Sequence, residues 1–103
     1  MKLIKELEEL IEEEIHDVKK YAKMAAALKD ENPSLAQTLY TISTQEDIHQ
    51  SAIHAEIVKI IQEYRKQNGE PPANMMAVYE YLHKRSVEKL EEARRYQDIY
   101  KGQ

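Results

Sequence analysis

Residues that interrupt helices occur at only two places inside this chain, and they divide it into three long segments. Asn32 and Pro33 form the first interruption, and Gly69 with the pair Pro71 and Pro72 forms the second. Asn and Pro are favoured where a helix begins and Gly where it ends, so each interruption predicts one helix end and the next start. Helices are therefore expected over roughly residues 2 to 29, 33 to 68 and 73 to 101.

Apolar residues recur within these segments at the 3.6-residue period of a helix. Steps of four and three define one stripe in the first segment (Leu3, Leu7, Leu10, Glu14, Asp17, Tyr21, Met24, Leu28) and one in the second (Leu35, Leu39, Ile42, Glu46, His49, Ile53, Glu56, Ile60). Both stripes are predicted to face the core, with Ile11, Val18, Ala22 and Ala25 widening the first. The chain is predicted to be all-α, with a single domain over residues 1–103 that contains a long antiparallel helical hairpin and a third, C-terminal helix.

The charge balance and the absence of cysteine narrow the possible partners. The chain has 19 acidic and 15 basic residues, so it lacks the positive excess typical of nucleic-acid binding. No apolar run approaches the ~20 residues of a membrane span, and the charged first segment does not match a secretory signal. A cytoplasmic protein without nucleic-acid or membrane partners is expected. Because there is no Cys, any metal must be bound by His and carboxylate groups.

Three polar residues stand inside the apolar stripes at matching levels. In an antiparallel hairpin Glu14 and Glu46 lie about 22 and 18 Å from the connecting turn, at about 1.5 Å per residue, so their side chains can meet. His49 follows Glu46 by three residues and shares its helix face. Carboxylates in an apolar interior need a partner, and a cation is the simplest one. Glu14, Glu46 and His49 are therefore predicted to bind a metal, although a hydrogen-bonded Glu46–His49 pair without metal fits the spacing too.

A Glu-x-x-His motif with a Glu from a neighbouring helix is half of the ligand set of di-iron carboxylate bundles. The stretches EIHDVKKYA, beginning at Glu14, and LAQTLYTISTQEDIHQSAIH, which contains Glu46 and His49, carry this pattern. Over residues 14 to 61 the sequence resembles the ferritin-like superfamily and, within it, rubrerythrin-related proteins. The resemblance implies a ferritin-like, four-helix metal-binding bundle completed by dimerisation, with the metals near the two-fold axis.

The resemblance also implies a chemistry. It would be ferroxidase activity, peroxide reduction or protection against oxidative stress, which would make the protein an iron-dependent oxidoreductase; no catalytic residue is assigned. A di-iron centre is the expected cofactor, and the mixed oxygen and nitrogen donors also suit manganese and do not exclude zinc. Rubrerythrins carry a cysteine-ligated iron domain for electron delivery, and this chain has no Cys, so turnover would need an external electron donor.

The third segment contains a second Glu-x-x-His, formed by Glu80 and His83. Glu80 is expected well over 100° from the apolar stripe of that helix, at about 100° per residue, and His83 near the level of Val58. This pair is therefore not expected to complete the site, and a homodimer or higher homo-oligomer is expected to do so. The second helix, roughly 50 Å long, independently favours assembly, because a hairpin of such helices leaves apolar surface uncovered.

Two other functions fit the same residues. One is a metal-free dimeric helical interaction module whose polar core residues fix the register. The other is a mononuclear metal-binding protein without redox activity.

Among the neighbours, Asp17 and Glu56 are expected at the rim of the site and His54 at the surface or an interface. Tyr21 is expected in the core, and the sequence assigns no role to His83.

Overall fold

The computed structural model describes residues 2–102. It contains three α-helices, α1 (Lys2–Leu28), α2 (Pro33–Asn68) and α3 (Ala73–Lys101), and no strand within that range. The all-α prediction is therefore confirmed, and the helix bounds agree with the predicted segments to within one residue at each end. Across the described residues no helix combines the length and the apolar character that a bilayer crossing requires.

The interrupting residues act at the helix ends as their chemistry predicts. The Leu35 N–H donates to the side-chain oxygen of Asn32 at 3.3 Å, which caps the start of α2. At the other end of α2, Gly69 adopts a φ of +79°, and its N–H donates to the Arg65 carbonyl at 3.0 Å. A positive φ is readily accessible to Gly, so the second helix ends where the sequence places its only internal glycine.

α1 is the central helix and packs along its length against both α2 and α3. The Ser43 hydroxyl of α2 donates to the Val18 carbonyl at 2.7 Å, in an antiparallel pairing of α1 and α2. α3 runs parallel to α1, and the Lys19 ammonium donates to Glu92 at 2.8 Å between them. The backbones of α2 and α3 lie further apart and are bridged by side chains, so the hairpin of α1 and α2 is the main packing unit.

The core consists mainly of isoleucines from α1 and α2. One cluster contains Ile4, Ile11, Ile15, Ile57 and Ile61, all at most 7% exposed. Burying one such side chain contributes roughly 1.5–3 kcal/mol, so this cluster is the main apolar contribution to the hairpin. Nearer the connecting turn, apart from Leu39, the buried apolar residues are smaller, namely Val18, Ala22, Ala25 and Ala36.

The stripe of residues predicted to face the core is offset by about one position along the sequence from the stripe of residues that is buried. Leu3, Leu10 and Met24 are 53%, 46% and 46% exposed, whereas the residues expected only to widen the stripe are buried. The reason is that α1 contacts two helices, so its buried side turns toward α3. Leu39 of the predicted stripes is buried, and Leu7, Ile53 and Ile60 pack against the core. Several other residues of the stripes form a surface of the hairpin on the side away from α3, which we call the open face (Leu3, Leu10, Glu14, Met24, Leu35, Glu46 and His49).

Candidate metal centre

The structure brings Glu14, Glu46 and His49 together on the open face. His49 Nδ1 lies 3.8 Å from Oε2 of Glu14 and 3.8 Å from Oε2 of Glu46. One ligand atom from each of the three residues lies within 4.8 Å of the other two. These separations exceed hydrogen-bond length, and they leave space for a cation between the three groups. The antiparallel pairing of α1 and α2 therefore brings the three predicted residues together.

The group is more open than the sequence indicated. The side chain of His49 is 57% exposed, and those of Glu14 and Glu46 are 29% and 20% exposed. The three residues were expected inside an apolar core, and this expectation is wrong because the stripe that contains them lies on the open face. A metal ion bound here would have protein ligands on one side and an uncovered side opposite, as in a half-site.

The Glu14 carboxyl is poised to exchange a proton for a cation. The pKa of Glu14 is raised to about 7, mainly because the neighbouring Glu46 can share a proton with it. Burial and the charges of Glu46 and Asp17 raise it further, and His49 opposes them. The two carboxyls are close enough to share a proton, but Oε2 of Glu14 is buried and no described residue meets the geometry of a hydrogen bond to it. A cation at this point would replace the proton and satisfy this oxygen.

The stability of the metal-free protein should fall as the pH rises from about 4.5 to about 7. The folded-state pKa of Glu14 lies above its ordinary value of 4.5, so its stabilising contribution is complete below pH 4.5 and is lost through pH 7. After allowance for partial exposure the loss is about 2 kcal/mol. Urea unfolding of chelator-treated protein across this range should show the decrease, and Glu14→Gln should make it shallower. The same slope in both proteins would contradict the assignment.

The neighbours of the group occupy the positions expected of rim residues. Asp17 lies 3.9 Å from Lys20 and Glu56 lies 3.1 Å from Lys59, and neither belongs to the group that could hold a metal. Tyr21, expected in the core, is only half-buried. The ligand atoms brought together at this point of the open face therefore come from Glu14, Glu46 and His49.

A second group of possible ligands, which the sequence reasoning missed, lies among all three helices. It contains Glu8 of α1, His54 of α2 and His83 of α3, with one ligand atom of each within 4.8 Å of the others. The rings of His54 and His83 stack with centroids 4.6 Å apart. His54 was expected at the surface or an interface, and it is half-buried against His83. The sequence contains one indication of this group, because Glu8 is an acid on the same face of α1 as the buried isoleucines.

His83 lies one helical turn from its expected level, beside His54 rather than Val58. Glu80 is exposed and belongs to neither group. The Glu80-x-x-His83 motif therefore does not complete the site at Glu14, as predicted.

Burial raises the pKa of Glu8, the charge of Glu12 adds to the effect, and Ser86 opposes it. Burial likewise lowers the pKa of His54, and neighbouring His83 lowers it further. Both shifts favour the uncharged form, so without a cation this group avoids charge in a poorly solvated place.

Comparisons with known proteins add no family to this geometry: no protein-family model, no curated protein and no solved structure matches the chain. The resemblance to ferritin-like proteins therefore depends on the residues between Glu14 and Ile61 and stays a prediction.

Proposed function

We propose that this protein binds iron in a di-iron carboxylate centre shared between two copies of the chain. The observation that carries the proposal is the grouping of Glu14, Glu46 and His49 on an uncovered face, with their ligand atoms within 4.8 Å of one another. Two copies placed face to face would provide four carboxylates and two imidazoles. This is the ligand set of ferritin-like di-iron bundles, in which each of two helices gives a Glu and each of the others a Glu-x-x-His.

The open face also carries the apolar surface that an interface between copies requires. Leu3, Leu10, Met24 and Leu35 are between 42% and 53% exposed, and they lie on both sides of the metal group along the hairpin. Apolar residues grouped around a few polar ones are typical of interaction surfaces. Packing two hairpins through this face would give a four-helix bundle, with α3 of each copy on the outside.

Metal binding and dimerisation should support each other. Without a cation, bringing two copies of Glu14 and Glu46 together would place like charges in a poorly solvated interface, at a cost of several kcal/mol. Two divalent cations would offset these charges and would also satisfy the unpartnered Oε2 of Glu14. The dimer is therefore expected to be tighter with metal than without it.

The ligands suit iron that reacts with oxygen or peroxide. When bound, two ferrous ions supply two electrons, which reduce one hydrogen peroxide with two protons to two water molecules. The residues of the chain hold the ions: Glu14 releases its proton on binding, and His49 serves as a neutral nitrogen donor. Since the chain contains no Cys that could hold a second iron centre, an external electron donor is needed for repeated turnover.

Glu46→Ala should abolish rapid iron oxidation. Protein loaded anaerobically with ferrous ion and then mixed with peroxide should oxidise its iron in a fast phase proportional to the dimer concentration. Removal of one of the side chains that would hold the iron should slow this phase by roughly 100-fold or more. Absorbance stopped-flow measures the rate, and Glu13→Ala is the matched control because Glu13 is an exposed acid that belongs to neither group of possible ligands.

The other outcomes of this experiment separate the remaining functions. Equal rates in Glu46→Ala and the unmodified protein would contradict the proposed centre. Failure of the unmodified protein to bind iron at all would instead indicate a metal-free interaction module. Binding without oxidation would indicate a non-redox metal site.

A further inference from the structure

We infer that Glu8, His54 and His83 form a second metal site, which binds one divalent transition-metal ion within a single chain. Each of the three helices provides one ligand, and the ligand atoms lie within 4.8 Å of one another. Glu8 and Glu14 are six residues apart, or about 9 Å along α1 at 1.5 Å per residue, and they point to different sides of the helix. The second site is therefore separate from the shared centre and does not require a dimer.

The strongest observation is the state of Glu8. Its side chain is only 1% exposed, and neither carboxyl oxygen has a hydrogen-bond partner among the described residues. The nearby Ser86 hydroxyl opposes the rise in the pKa of Glu8, but its position does not meet the geometry of a hydrogen bond to either carboxyl oxygen, and it is itself buried without a partner among the described residues. Buried polar groups are nearly always hydrogen-bonded, and one left without a partner is costly whether or not it is charged. A cation bound between Glu8 and the two imidazoles would remove this cost.

The two imidazoles are held in place for such a cation. The rings of His54 and His83 stack with centroids 4.6 Å apart and 12° between their planes. The ring of Tyr79 stacks on His83, with centroids 5.8 Å apart. Ligand atoms about 2.1 Å from a tetrahedral metal are about 3.4 Å from one another, so a group within 4.8 Å has to contract by at most about 1.4 Å. We expect rotation of the three side chains to supply this contraction.

The ligand set indicates the class of metal. Two His and one carboxylate bind zinc in open sites and also bind ferrous ion, in both cases with at least one further coordination position. A cavity of about 190 Å³ adjoins the two imidazoles and is lined in part by Gln50, Ser86 and Arg94. This cavity provides room for a water molecule or a small anion at the remaining position.

The test uses Co²⁺ as a spectroscopic probe in protein from which the shared centre has been removed. His49→Ala protein should bind one Co²⁺ per chain, with the d–d absorption of His-ligated cobalt. Adding His83→Ala should weaken this binding by roughly 100-fold or more. His16→Ala is the matched control, because His16 is an exposed histidine outside both groups, and it should leave the binding unchanged.

Glu8→Leu provides a second test that does not depend on the histidines. Leu replaces the unpartnered carboxyl by an apolar group of similar size, so the metal-free variant should have a higher melting temperature than the parent. The same variant should lose Co²⁺ binding. A destabilised Glu8→Leu protein that still binds Co²⁺ would overturn the inference.

These experiments distinguish the two sites. If His49→Ala protein binds no Co²⁺, or if His83→Ala leaves its affinity unchanged, the second site does not exist, whatever the shared centre does. If His49→Ala binds as much metal as the unmodified protein and His83→Ala removes all of it, the second site stands and the shared centre fails.

Discussion

In the dimer proposed above, Leu10→Glu should give monomers and empty the proposed iron centre while the helices stay folded. Leu10 is 46% exposed on the open face, one turn before Glu14. The substitution removes apolar contact area from the proposed interface and adds a negative charge next to existing carboxylates. Like charges brought together at an interface cost several kcal/mol, so the dissociation constant of the dimer should rise by roughly 100-fold or more.

Sedimentation velocity with and without ferrous ion measures this change, and circular dichroism confirms that the helices remain. Ile48→Glu is the matched control, because Ile48 is 66% exposed on a side of α2 away from the open face. It should leave the dimer and its iron intact. A Leu10→Glu protein that remains dimeric would show that the copies do not meet through the open face.

Ile57→Ala should be the most destabilising substitution in the hairpin. Ile57 is fully buried, and it belongs to the isoleucine cluster that joins α1 and α2. Truncation removes buried apolar surface and leaves a cavity, at a cost of about 2–5 kcal/mol. Urea unfolding measures the loss, with Ile48→Ala as control because that side chain is mostly exposed. If both substitutions had the same effect, Ile57 would not be part of a packed core.

The helices and the pairing of α1 with α2 could be predicted because they depend on local signals. Asn32, Pro33 and Gly69 determine where α2 begins and ends, and the short connection makes the hairpin antiparallel. Once the pairing is known, the 1.5 Å rise per residue is enough to bring Glu14 to Glu46 and His49. The convergence of these three residues therefore followed from the sequence.

The position of α3 could not be predicted, and the errors follow from it. α3 docks on the hairpin partly through Tyr79 and Leu90, which pack against the isoleucine cluster. Polar contacts between side chains distant in sequence orient it further: Arg94 donates to both oxygens of Asp47 at 2.9 Å, and Gln97 donates to Ser43 at 3.0 Å. These residues show no apolar period, so the sequence does not indicate which side of α1 they cover. The buried side of α1, the level of His83 and the grouping around Glu8 all depend on this docking.

The docking of α3 also bears on the proposed dimer. Because α3 covers the opposite side of α1, it leaves the open face of the hairpin uncovered within one chain. Leu10 and Glu14 lie together on that face, with apolar residues that no described part of the same chain buries. In the proposed dimer, a second copy would supply both the missing ligands and the missing apolar surface.

The shared centre is tested most directly by measuring iron content and oligomeric state on the same sample. His83→Ala protein is the suitable material, since the inferred second site then contributes no metal. After anaerobic loading and removal of free iron, native mass spectrometry should show a dimer with two iron ions and a monomer with none. An iron-loaded monomer, or a dimer that holds no iron, would contradict the account.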